Sequence, residues 1–110
     1  MPVRYFAQTK IKGGKMLKVI VELEDVIDKG YRMEGKRIKR VQFSGDFFLH
    51  PEEVIEEIEI CLAGLETEKN ILLTQIEKTL RDANAEAVGV SASDFADIIM
   101  LALRSEPLQD

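Results

Sequence analysis

Apolar and polar positions alternate along the first part of the chain and then change period, and that change separates two kinds of element. From Val3 to Ile11, the set Val3, Tyr5, Ala7, Thr9 and Ile11 alternates with Arg4, Phe6, Gln8 and Lys10, which predicts a half-buried strand. Gly13-Gly14 follows, a pair that accepts the positive φ angles of a tight hairpin. The second strand, Met16 to Glu24, puts Leu17, Val19, Val21 and Leu23 on one face and Met16, Lys18, Ile20, Glu22 and Glu24 on the other. The first set is expected to face the core. Met16 and Ile20, near Phe6, would leave an apolar spot that a lone domain exposes.

Asp25 to Gly35 is the least regular stretch, with Gly30 and Gly35 as turn points and Tyr31 as the start of a short strand segment. A third strand is predicted from Lys36 to Phe48. Ile38, Val41 and Phe43 break strict alternation there, so a β-bulge is expected near Lys39-Arg40.

The period shifts to about 3.6 residues across Ser44-Gly45-Asp46-Phe47-Phe48-Leu49-His50-Pro51-Glu52-Glu53. Gly45 allows a conformation that a Cβ forbids, Phe47 and Phe48 bring large apolar area, and Pro51 has the φ suited to the first helical position. Glu52 and Glu53 suit the positive end of the helix dipole.

The first helix is placed at about Pro51 to Ala63, with Val54, Ile55, Ile58, Cys61, Leu62 and Leu65 inward, Glu56, Glu57 and Glu59 turned to water, and Gly64 as the stop. A second runs from about Thr67 to Ala83 on Ile71, Leu72, Ile76 and Leu80. The last is capped at Ser91 or Ser93, with a capping-box spacing from Ser91 to Asp94, and its body from Phe95 to Leu103 is almost all apolar. Either it is the central helix of its layer or a second face, including Met100, is a contact surface. The expected fold is a single α+β domain, residues 1–110: a three-stranded antiparallel sheet with three helices packed mainly on one face.

Composition narrows the class. With 45% hydrophobic and 32% charged residues the chain is neither disordered nor membranous. No apolar run nears the ~18 residues of a membrane span. Met1-Pro2 opens into a strand without a signal-peptide pattern, so a cytoplasmic location is expected.

The net charge of −5 hides an uneven distribution: residues 1–43 hold eleven Lys/Arg against five Asp/Glu, and residues 44–110 hold four against fifteen. A basic sheet and an acidic helical layer would meet different environments.

The chemistry-bearing residues are few. No phosphate loop, no nucleophile with a matched base and no metal-ligand spacing is present, so neither a catalytic residue nor a metal site is expected. Cys61 is the sole cysteine and His50 the sole histidine; the first reads as a buried structural thiol, the second as a surface or capping residue. Asp46, after Gly45 at a chain reversal, is expected to hold nearby backbone amides. Lys12, Lys15 and Lys18 around the glycine turn could meet phosphate or an acidic partner, or simply form a solvated hairpin guarded against edge pairing.

Ser44-Gly45-Asp46-Phe47-Phe48 followed by Pro51-Glu52-Glu53 resembles the signature of lipoate-protein ligase accessory domains, of the kind found at the C-terminal side of the single-chain enzymes. Lys12-Gly13-Gly14-Lys15 resembles the glycine-rich turn before that family's second strand. Gly89-Val90 through Ser93-Asp94-Phe95 resembles its C-terminal segment. The three motifs occur in order at plausible spacing and cover nearly the whole chain.

The resemblance implies the same α+β layout and a role as the stand-alone small subunit of a two-chain ligase, since the chain opens with its own Met1 and shows only the accessory part. Such an enzyme uses ATP and Mg to convert lipoate to lipoyl-adenylate and passes the lipoyl group to a lysine of an acceptor domain. This chain would bind none of these alone, would supply no active site, and would act with a catalytic large subunit as a heterodimer, meeting the lipoyl-acceptor domain only indirectly. Lys15 is the candidate for an adenylate or phosphate contact, and Phe6, Met16, Ile20 and Met100 are candidates for the subunit interface. The competing reading is a non-enzymatic module whose basic sheet binds RNA or another polyanion. Against it, Tyr5, Phe6 and Tyr31 form no aromatic ladder with interleaved Arg and Gly.

Overall fold

The period-two segments fold as an antiparallel meander. The computed structural model describes residues 3–11, 13–28 and 31–108, and for residues 25–28 and 31–36 the backbone alone. Lys12 and Gly30, each assigned to a turn from sequence, lie outside the described residues. Strand β1 (Val3–Lys10) pairs with β2 (Met16–Asp28) from Val3 opposite Leu23 to Lys10 opposite Met16, and β2 pairs in turn with β3 (Tyr31–Gly45). The alternation of β2 works out as expected: Leu17, Val19, Val21 and Leu23 are buried, and so are Tyr5 and Ala7 on β1.

Strands β2 and β3 extend beyond the ends assigned from sequence. Pairing continues from Asp25 opposite Glu34 to Asp28 opposite Tyr31, so the irregular stretch is a strand continuation. Its side-chain pattern is obscured because the register shifts twice on the way, between Glu22 and Leu23 and between Leu23 and Asp25. The first shift is the expected bulge: Glu22 faces Arg40 and Leu23 faces Ile38, which leaves Lys39 without an opposite residue. Ile38, Val41 and Phe43 therefore all reach the core.

After Gly45 the chain turns and forms a short strand, β4 (Phe48–His50), before any helix begins. Strand β4 pairs antiparallel with β5 (Glu86–Val88), giving a second, two-stranded sheet that the sequence pattern did not announce. Helix α1 consequently spans Val54–Leu62, and Pro51 is not its first residue. The His50-Pro51 bond is cis, Pro51 stands in a turn, and its carbonyl accepts the Val54 amide at 3.1 Å.

Helices α2 (Lys69–Asp82) and α3 (Ala92–Leu103) complete the layer on the inner side of the three-stranded sheet, with α3 against β1 and β2 and α1 against β3. Ser91 caps α3 with the reciprocal bonds of a capping box: its Oγ accepts from the Asp94 amide at 3.3 Å, and the Asp94 carboxylate accepts from the Ser91 amide at 2.8 Å. The α+β class, the three-stranded antiparallel sheet and the three helices stand as expected.

The apolar stripe of α1 is narrower than its composition suggests. Val54, Ile58 and Leu62, four residues apart, are buried, whereas Cys61 is exposed on the flank that faces α2. It lines an open groove of about 460 Å³ with Glu57, Ile60, Gln75, Lys78, Thr79, Asp82 and Ala83, so the buried-thiol assignment is corrected.

Glu59 is corrected in the opposite sense. Instead of facing water it is half-buried, and its Oε2 accepts the Phe43 amide of β3 at 2.7 Å. Burial pushes its carboxyl above the ordinary glutamate value of 4.5, with the Glu56 charge acting the same way; the Phe43 amide and the Arg40 guanidinium only partly offset this.

Candidate functional site

The three sequence motifs, far apart along the chain, meet at one end of the fold. Gly45 ends β3 at φ 139°, with Leu17 as its partner on β2, and a Cβ there would run into the Met16 carbonyl oxygen. Only glycine fits both the dihedral and the approach. The next residue then closes the contact from both sides: the Asp46 amide donates to the Met16 carbonyl at 2.8 Å, and the Asp46 Oδ2 accepts the Met16 amide at 3.4 Å. Asp46 thus holds a backbone amide, as expected, and the amide belongs to the strand that follows the glycine-rich turn.

Phe47 enters the core and meets Phe95 edge-on at 5.4 Å and 88°, while Phe43, before the corner, meets the same ring at 4.8 Å and 64°. The corner is therefore wrapped round Phe95, a fully buried residue of the third motif.

Lys15 joins the same end. Its side chain is exposed, and its Cγ lies 3.6 Å from where a Cβ at Gly89 would stand, so the glycine leaves room for the aliphatic part of the lysine. Phe48 does not enter the core with Phe47. It is 51% exposed opposite Val88, itself 54% exposed, so an apolar cross-strand pair faces outward beside Lys15. His50 is opposite Glu86 on the same face of that small sheet and opens onto a broad depression with Pro51, Glu52, Glu53 and Glu56.

Lys15, Met16, Ser44, Gly45, Asp46, Phe47, Phe48 and Pro51 are thus brought to one end. The interface candidates divide. Phe6 and Ile20 are direct cross-strand partners on the outer face of the three-stranded sheet, with Met16 further along it. Met100 packs half-buried against the core from α3, on the other side of that sheet. Val88 and Glu59 were missed from sequence: β5 is too short to show a period, and Glu59 looks like its solvated neighbours until α1 is laid against β3. Among the described residues no grouping of three or more His, Cys, Asp or Glu side chains could hold a metal ion, and no helix is long and apolar enough to cross a membrane.

These features define a small α+β module with one covered and one open sheet face, and with its motif residues spent on building a corner. Known proteins narrow this further. The chain is 38% identical over 66 residues to Lipoate-protein ligase A subunit 2 of Thermoplasma acidophilum, a match covering 57% of this chain and 64% of that protein. The matched region is therefore just short of two-thirds of the relative's length.

The fold is similar to a chain in the solved structure of an archaeal lipoylation system, a bi-partite lipoate protein ligase and its E2 lipoyl domain from the same organism. The TM-score is 0.69 at 28% identity, over 90% of this chain and 97% of that one. No family model matches. Both findings bear out the resemblance carried by the motifs, to the accessory part of a lipoate-protein ligase.

Proposed function

We propose that this chain is the accessory subunit of a two-part lipoate-protein ligase, required with a separate catalytic subunit for the ATP-dependent activation of lipoate to lipoyl-adenylate before transfer to an acceptor-domain lysine. The observation that carries this reading is the nearly end-to-end likeness to a chain of a bi-partite ligase, at a sequence identity above that of a bare fold match. The motif residues support it by their use: Gly45, Asp46, Phe47 and Phe95, which carry the resemblance, together shape one end of the domain.

In this reading the chain contributes no active site of its own, and the lipoate, ATP and Mg are used by the complex that it forms with the catalytic subunit. Lys15 is the side chain of this chain proposed to reach the adenylate. It is exposed at the motif end, and a lysine ammonium is a suitable point charge for phosphate.

The test is reconstitution. The purified chain alone should neither hydrolyse ATP nor form lipoyl-adenylate, and adding it to the catalytic subunit should restore lipoate-dependent pyrophosphate release. Equal release by the catalytic subunit without this chain would refute the reading.

A further inference from the structure

The three-stranded sheet carries helices on one face only. Its open face shows three rows in register: Arg4, Glu22 and Arg40; Phe6, Ile20 and Gln42; Gln8, Lys18 and Ser44, with Lys10 opposite Met16 at the hairpin end. Phe6 and Ile20 are half-buried at its centre and Met16 at its hairpin end, and Gln8, Lys10, Lys18, Arg40, Gln42 and Ser44 are exposed around them. Among the residues whose side chains are described, the charge on this face is basic, with Arg4, Lys10, Lys18 and Arg40 against Glu22 and Glu24, whereas residues 44–110 are strongly acidic.

Size and sign together select the occupant. Where all three strands lie side by side, eight residues of β1 by three strands give an area of roughly 27 by 14 Å, or about 380 Å² in projection, and the paired ends of β2 and β3 extend the sheet beyond it. That three-stranded part is about half of the ~800 Å² that each partner gives to a standard interface, which suits a separable contact. A second copy docked across a two-fold axis would bring the same predominantly basic face against itself. A polyanion is poorly served, because Glu22 stands between Arg4 and Arg40 and Phe6 is the face's only aromatic side chain among the described residues. What fits is a protein surface with an apolar centre and an acidic rim.

We propose that the open sheet face, centred on Phe6 and Ile20 and rimmed by Lys10, Lys18 and Arg40, is where this chain docks on an acidic-rimmed apolar patch of the catalytic subunit. The inference rests on the accessory-subunit reading above and adds the surface, its chemistry and its exclusion of Met100.

The experiment is calorimetric titration of the full chain into the catalytic subunit from the same organism, with circular dichroism checking that each variant is folded. Ile20→Lys should weaken binding at least about tenfold. Lys18→Glu, at an exposed position that leaves folding alone, should weaken it about fivefold at low salt, with the difference closing near about 0.5 M salt. Phe48→Ser and Val88→Ser, on the other exposed apolar surface, should change affinity less than about twofold.

Wild-type affinity in both face variants would overturn the assignment of this face and leave the accessory reading standing. Failure of the wild-type chain to bind would overturn both. An RNA oligonucleotide bound more tightly than the subunit, through Lys18, would overturn the proposal in favour of a polyanion site. A wild-type homodimer in sedimentation that Ile20→Lys dissolves would do so in favour of a second copy.

Discussion

Replacing Gly45 by alanine separates two costs that glycine avoids, because a second glycine carries only one of them. At Gly45 the backbone φ is 139° and a Cβ would strike the Met16 carbonyl; at Gly64 φ is 87° and nothing lies within 4 Å of the Cβ position. Gly64→Ala should therefore cost about 1 kcal/mol from the dihedral alone. Gly45→Ala adds to a dihedral strain of about 2 kcal/mol the separation of β2 from the corner. That separation removes the Asp46 amide bond to Met16, worth about 1 kcal/mol net.

The expected loss is about 3 kcal/mol, which for a chain of 110 residues lowers Tm by roughly 10–15 °C, against roughly 4 °C for Gly64→Ala. Urea unfolding followed by circular dichroism measures both variants on one scale. A Gly45→Ala loss equal to that of Gly64→Ala would refute the reasoning, since the contact with Met16 would then carry no energy.

Two further outcomes follow from residues that the structure reassigned. Glu59 has its carboxyl raised by burial, so its ionisation opposes folding: that stabilising share is complete below the ordinary value of 4.5 and is lost as pH rises through the folded-state pKa. Glu59→Gln keeps an acceptor for the Phe43 amide without the charge, and should gain stability relative to wild type as pH rises from about 4 toward 7; a difference flat across that range, measured by urea unfolding, would contradict it. Cys61 should react with a disulfide reagent in the native protein as fast as in urea; a thiol that reacts only on unfolding would restore the buried assignment.

The parts of this fold legible in sequence are those whose cause is local. The inner faces of β1 and β2 follow from alternation, the α3 cap from the side chains of Ser91 and Asp94, and the bulge at Lys39 from the spacing of Ile38, Val41 and Phe43. Gly45 and Asp46 were readable as a corner, though not as a contact with Met16.

What stayed hidden depends on partners distant in the chain. Pro51 carries a helix-start signal, yet β4 first pairs with β5, and that pairing postpones α1 to Val54. Cys61 and Glu59 lie on one helix, and their residue types place the first inward and the second in water. The placement of α2 leaves the first in an open groove, and the approach of β3 covers the second. Phe48 follows the same rule: its type says core, and the strand it pairs with turns it outward.

The sheet's two outer edges are held by hydrogen bonds from the rest of the chain. Along β1, the Leu108 amide donates to the Arg4 carbonyl at 2.7 Å, and the Ser105 hydroxyl, which also contacts the Ala102 carbonyl, lies 3.3 Å from the Phe6 carbonyl; along β3, Ile38 exchanges bonds with Leu65 and Gly64 at 2.9 and 2.7 Å, and Glu59 holds the Phe43 amide. At these points an incoming strand would have to evict a resident before it could zip on. Growth by strand addition, the usual route from a small sheet to a fibre, is closed there, and association is left to side-chain contact across a face. Such a contact parts without unpicking backbone bonds, so a partner held this way can swing or leave while the domain stays folded.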